Sequence, residues 1–174
     1  TKGSNVKVAS VAGAFPSGLS TIEARTGDIA DAVKRGADEI DIVLNRSAFL
    51  AGDEQRAFEE IVASKDACGE AHLKVILEVG ELGSYDKIRQ ASMLAMAAGA
   101  DFIKTSTGKI SEASSLPRVL CMAEAVRDFA YQTNISVGIK AAGGIRTAKQ
   151  AWHYLVVIGE TLGTEWLSPE MFRI

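Results

Sequence analysis

Five short apolar runs punctuate the chain, at residues 6–11, 40–44, 75–79, 102–106 and 137–140. Each is brief and largely β-branched, which predicts a buried strand. Their centres lie about 27 to 36 residues apart, the length of a strand, a crossover helix and two loops. Between them, apolar residues recur at helical spacing: Ile22, Ile29 and Val33; Phe58, Ile61 and Val62; Ile88, Leu94 and Ala98; Val119, Ala123 and Val126; Trp152, Leu155 and Val156. That spacing predicts one-sided helices laid over a sheet. Ser20-Thr21-Ile22-Glu23 has the form of a capping box, and Gly36 and Gly99 stand where a helix stops before the next strand.

Strict β-α alternation implies a parallel sheet, either open and doubly wound or closed as a (β/α)8 TIM barrel. Ionisable residues inside apolar strands favour the barrel, whose interior gathers side chains from several strands. No Gly-x-Gly-x-x-Gly turn suggests a dinucleotide fold. A complete barrel needs about 250 residues. This chain has 174, with five clear strands and a sixth beginning at Phe172-Arg173-Ile174. The expectation is a single partial barrel domain over residues 1–174.

Composition narrows the function classes. The chain is 47% hydrophobic and 6% aromatic, as suits one globular domain with an aliphatic core. A net charge of −3 without a run of five like charges argues against nucleic acid and anionic membranes as partners. Charged or small residues interrupt every apolar stretch before it could span a bilayer. Thr1-Lys2-Gly3-Ser4-Asn5 carries no signal-peptide core, so a cytoplasmic location is the default. Cys68 and Cys121 read as reduced core thiols, His72 and His153 are isolated, and no metal site is expected.

The chemistry is sought in charges placed within strands. Lys104 ends the apolar part of Asp101-Phe102-Ile103-Lys104-Thr105, and Lys140 repeats the arrangement one β-α unit later in Val137-Gly138-Ile139-Lys140. Lysines near the ends of consecutive parallel strands should meet in space, and like charges depress an amine's pKa. This matters because only about one lysine in 2,500 is neutral at pH 7 with a reference pKa near 10.4. The plainer reading is a salt bridge to a carboxylate such as Asp101 or Glu78. Asp41 lies between Ile40 and Ile42; if the isoleucines face the helices, Asp41 points into the barrel, where it could relay protons or neutralise a lysine. Asp38 and Glu39, just before it, read as solvated. Gly143, Gly144 and Arg146 follow a strand and open a helix, a place where backbone N–H groups could hold phosphate, and Gly108 with Lys109 could add a second contact.

These residues resemble the deoxyribose-phosphate aldolase family. The segment 101–109 (DFIKTSTGK) is the most specific element, and 36–43 (GADEIDIV), 138–146 (GIKAAGGIR) and 8–17 (VASVAGAFPS) match in order and spacing. The resemblance extends to Glu165-Trp166-Leu167 and Phe172-Arg173-Ile174. It implies a cofactor-free class I aldolase in which Lys104 forms a Schiff base with acetaldehyde, Lys140 tunes it and Asp41 acts in the proton relay. The implied reaction is reversible cleavage of 2-deoxy-D-ribose 5-phosphate to D-glyceraldehyde 3-phosphate and acetaldehyde, with a homodimer as the candidate assembly. The chain departs from the family at Ala141, where proline is usual, and at Val79, where many members have threonine. Relative to the family, the chain corresponds to about strands 3 to 7 and the start of 8, without the glycine- and serine-rich phosphate loop expected after Ile174. A Schiff-base enzyme acting on another sugar phosphate and an inactive fragment of the aldolase are the alternatives.

Overall fold

The computed structural model describes residues 4–111 and 113–174. Thr1, Lys2 and Gly3, part of the segment inspected for a signal peptide, lie outside them. The elements run β1 (Ala9–Val11), α1 (Ile22–Lys34), β2 (Glu39–Val43), α2 (Arg46–Leu50), α3 (Glu54–Cys68), β3 (His72–Ile76), α4 (Tyr85–Ala97), β4 (Phe102–Lys104), α5 (Leu116–Thr133), β5 (Gly138–Lys140), α6 (Ala148–Leu162), a 3-10 turn (Thr164–Trp166) and β6 (Phe172–Arg173). All strands pair in parallel, in the order β1-β2-β3-β4-β5-β6. The alternation predicted from the sequence is therefore present.

The sheet curls strongly. Neighbouring strands lie about 4.8 Å apart, so β2 and β6, four steps removed, would stand roughly 19 Å apart if the sheet were flat. Yet Arg173 on β6 reaches Glu39 on β2 with N···O distances of 2.7 and 2.8 Å. This α/β architecture is a six-stranded half-barrel.

Alternation along each strand divides the two faces. Ile40, Ile42 and Leu44, then Leu73, Val75 and Leu77, then Ile103 and Ile139, join helix residues such as Ile29, Ile61, Ile88, Val119 and Val126 in one buried aliphatic cluster. The opposite, concave face carries Glu39, Asp41, Lys74, Lys104 and Lys140. Phe102 fills part of this face because the next strand offers Gly138: a Cβ there would lie 2.3 Å from the phenyl ring. Arg25, 1% exposed, donates to Gly18 O and Val43 O and pairs with Glu60, pinning the loop after β1 to the end of β2.

Several local expectations change. β3 lies three residues earlier than predicted, because Glu78 adopts φ 52° and turns the chain out of extended geometry. Leu77 N and Val79 N nonetheless bond to Lys104 O and Thr105 O. Among the described residues β1 is an edge, paired to β2 alone, and Val6, Val8 and Val11 are exposed rather than buried. On α6, Trp152 and Val156 also face outward; Tyr154, Ile158 and Leu162 form the buried row, because this helix is apolar on more than one side and contact with α5 and the sheet selects one. Helix α1 is capped one residue later than the capping-box pattern suggests, by Thr21, whose side chain accepts from Ala24 N. The capping box belongs to Thr147 and Gln150.

Candidate active site

At the centre of the concave face, Asp41 divides its two oxygens. Oδ2 accepts from Lys104 Nζ at 2.6 Å and lies 3.8 Å from Lys140 Nζ; Oδ1 accepts from Lys74 Nζ at 2.9 Å. Ile40 and Ile42 bury outward, which turns Asp41 inward. Lys104 and Lys140 end adjacent strands and stand directly opposite in the β4–β5 register. Thus two of the three residues singled out from isolated strand segments, Lys104 and Lys140, converge on the carboxylate of the third, Asp41.

Asp41 is 3% exposed and Lys104 8% exposed, so their interaction is weakly screened. Burial alone would raise the Asp41 carboxyl, but the charges and hydrogen bonds of Lys104 and Lys74 outweigh it and hold the group below its ordinary value. For Lys140, burial pushes the amine down, the charge of Lys104 adds to this, and Asp41 opposes it. One carboxylate thus faces three ammonium groups, and the Lys140 amine gives up its proton more readily than an ordinary lysine. Neutral amine is the form a nucleophilic lysine requires.

Three further residues complete the face. Lys74 is wholly buried and also meets Glu39 Oε2 at 2.6 Å. Glu39, expected in solvent, is 2% exposed between Lys74 and Arg173. Arg173 lies 5.2 Å over the Phe102 ring. Sequence reasoning missed this extension, although His72-Leu73-Lys74-Val75-Ile76 shows the same charge between apolar neighbours that flagged Asp41. Placing β3 three residues late hid it. The alternative lysine partners also fall away: Asp101 binds Lys65 Nζ at 2.6 Å and Leu73 N at 2.7 Å, and Glu78 accepts from the backbone N–H and hydroxyl of Thr107.

The two glycine turns flank the strand ends that carry the lysines. Gly108 has φ 77°, and Gly143 and Gly144 have φ 90° and 83°, a region where glycine avoids the strain of a side chain. Lys109 and Arg146 are exposed. At the start of α6, however, the N–H groups of Arg146 and Thr147 already donate to Gln150 Oε1, at 2.8 and 3.1 Å. An anion at this turn would draw on Gly143, Gly144 and the Arg146 side chain rather than on the first helical turn. Gly144 borders a cavity of about 210 Å³ with Ser114, Gln150, His153 and Tyr154. The turn after Lys140 is held by Thr105, whose hydroxyl accepts from Ala142 N and donates to Ala142 O.

Among the described residues, no cluster of histidine, cysteine and carboxylate could hold a metal ion, and no helix is long and apolar enough to cross a membrane. Cys68 and Cys121 are free thiols. Burial pushes the Cys68 thiol up to about 11, so it is no nucleophile near neutrality.

Comparison with known proteins identifies relatives of the chain as a whole. Human deoxyribose-phosphate aldolase is 49% identical over 172 residues, covering 99% of this chain and 54% of its own length. The Bos taurus deoxyribose-phosphate aldolase is likewise 49% identical, with the same coverage. The chain therefore spans about half the length of the curated relatives it matches. Among solved structures, one from Toxoplasma gondii ME49 superposes with a TM-score of 0.88 at 28% identity, covering 97% of this chain and 66% of that one. Deoxyribose phosphate aldolase from Aeropyrum pernix, described as a unique tetramer, gives 0.73 at 25% identity, covering 97% and 64%. The family model described as DeoC/LacD family aldolase matches residues 5–164. On the match of both sequence and fold, this chain belongs to the DeoC/LacD aldolase family.

Proposed function

We propose that the chain carries the reacting centre of a deoxyribose-phosphate aldolase, corresponding to about strands 3 to 7 and the start of 8 of one TIM-barrel domain. The observation that carries the proposal is the carboxylate-bridged lysine pair, with Lys104 Nζ 2.6 Å and Lys140 Nζ 3.8 Å from the same Asp41 oxygen. A lone buried lysine would be paired and inert. Two amines sharing one carboxylate can exchange a proton and leave one amine neutral.

In this reading, neutral Lys104 adds to the aldehyde carbon, and the resulting carbinolamine loses water to give an iminium. The positive nitrogen withdraws electrons from the adjacent carbon, so the C–C bond to the departing aldehyde can break and leave an enamine. Asp41 and Lys140 then move the protons: one from the hydroxyl that becomes a carbonyl, one onto the enamine carbon, and one through the water that hydrolyses the iminium. Gly143, Gly144 and Arg146, with Gly108 and Lys109, supply donors for the phosphate of a sugar phosphate such as 2-deoxy-D-ribose 5-phosphate. The sister products are glyceraldehyde 3-phosphate and acetaldehyde. No metal or organic cofactor enters the scheme, and the cytoplasm, where sugar phosphates are held, is its setting.

The test is reductive trapping. Acetaldehyde and borohydride should fix a two-carbon adduct on the peptide containing Lys104, and chelators should not change its yield. Lys104→Arg should abolish the adduct, because guanidinium stays protonated. An adduct mapping to Lys140 or Lys109 would reassign the nucleophile. No adduct at any lysine would reject the aldolase reading.

A further inference from the structure

Lys74 is one of the charges on the concave face that the scheme above does not use. Lys74 exposes none of its surface, and its ammonium is gripped between Glu39 Oε2 at 2.6 Å and Asp41 Oδ1 at 2.9 Å. A buried lysine is costly unless fully paired, and its contacts leave no room for it to meet a substrate. It does, however, determine how Asp41 is presented. A free carboxylate can rotate and offer either oxygen; with Oδ1 held by Lys74, only Oδ2 is left for Lys104 and Lys140.

We propose that Lys74 is a positioning residue that locks the Asp41 carboxylate in one orientation, with Oδ1 held by Lys74 and Oδ2 turned to the reactive amine pair, an inference that rests on the aldolase reading. Every charged group facing it fits this role. From β2 come Asp41 and Glu39; from β4 comes Lys104, on the same strand as the apolar Phe102; from β5 comes Lys140; and Arg173 on β6 grips both oxygens of Glu39, sharing Oε2 with Lys74. On its own strand His72 is exposed, and Glu78, beyond the strand, is committed to Thr107. Arg173 matters because it shares Glu39, leaving Lys74 incompletely neutralised by that carboxylate and free to act on Asp41. Lys74 is accordingly among the charges that lower the Lys140 amine, while Glu39 raises it.

That opposition supplies a test that general damage to the fold cannot imitate. The rate of borohydride-trappable imine formation with acetaldehyde is measured against pH for the chain and for two variants. Lys74→Met keeps the length of the side chain and removes the charge; its profile should move alkaline by on the order of one pH unit, with a roughly tenfold loss of rate near neutrality. Glu39→Gln removes a negative charge from the same cluster, so its profile should move acid. Shifts of opposite sign, with labelling still on Lys104, support the inference. Unmoved profiles, or uniform slowing at all pH values, overturn it.

The unmodified chain gives a second measurement if a variant does not fold. With lysine side chains labelled with 15N, the Lys74 ammonium protons should exchange slowly with solvent and show contacts to Asp41 and Glu39. A freely exchanging Lys74 ammonium overturns the inference. If the unmodified chain forms no imine at Lys104, the aldolase reading has failed, and slow exchange at Lys74 then shows only that the carboxylate is held.

Discussion

The two faces of this sheet are built from the same strands on opposite rules. Ile40 and Ile42 join an aliphatic layer that needs only volume and burial, whereas Asp41 between them joins a chain of charges in which each member depends on its neighbours' positions. On the convex face a contact is non-directional, and its worth scales with area removed from water. On the concave face each ion is expensive to desolvate and is retained only with partners. Stability therefore resides mainly on one side of each strand and the candidate site on the other, one residue apart.

Substitutions at adjacent positions sharpen that division. The largest effect is expected for Asp41→Asn, which keeps the shape but removes the proton acceptor: turnover should fall by about 10² to 10⁴-fold, while acetaldehyde trapping at Lys104 persists. Steady-state rates and adduct mass check the two parts separately. An unchanged rate would mean that the concave face does not work as described.

Next comes Ile42→Ala, one residue along and facing the helices. Deleting this fully buried side chain should cost about 2–5 kcal/mol of stability, read from urea unfolding. The rate of imine formation per folded molecule should remain within about twofold, since the change touches no charge of the opposite face.

Lys140→Met reverses the usual direction. Because the folded protein holds this amine below its ordinary value of 10.5, the unfolded chain binds more protons in the interval between the two values. The wild type is thus penalised at neutral pH, and the penalty disappears as pH rises through that interval. Lys140→Met should be the more stable at pH 7, with the difference shrinking towards pH 10.5 and above, while imine formation slows. Thermal unfolding at several pH values would reveal the convergence, and a variant less stable at pH 7 would count against it.

The smallest effect is expected at the surface. Arg35 and Asp31 form a 2.7 Å ion pair one helical turn apart with both side chains exposed, and Arg35→Ala should change stability by only about 0.5 kcal/mol or less. Distance alone does not make an ion pair matter.

How much of this could be seen in the sequence depends on how far each signal reaches. Asp41, Lys104 and Lys140 were legible because a charge between apolar neighbours on a short strand is a local anomaly. The β-α order was legible for the same reason, since periodicity is a property of neighbours. Lys74 shows that anomaly too, but its strand was placed over 75–79, whose apolar run continues after the backbone has turned at Glu78. Glu39 reads as solvated because Asp38, beside it, is indeed exposed; Glu39 is buried between Lys74 and Arg173, the latter 134 positions away, and no window along the chain contains all three. Trp152 and Val156 fail for a different reason: α6 has apolar residues on two sides, and only its packing partner decides which side is inner. The glycine turn before α6 stands between these cases, with glycines that were visible and a Gln150 side chain occupying two of the N–H groups beside it that was not.

The clasp between Glu39 and Arg173 also has a temporal meaning. Closing a loop of this length costs roughly 4 kcal/mol of chain entropy beyond a constant, and contacts so distant in sequence form late when a chain folds. Strands β2 to β5 can pair successively, each with the neighbour that precedes it, but Glu39 has no guanidinium until β6 arrives. During synthesis from the amino terminus, Lys104 and Lys140 therefore emerge before the last charge of their network. Reactivity should lag behind secondary structure: in refolding followed by stopped flow, helix signal would recover first, and competence to trap acetaldehyde only as the final strand docks.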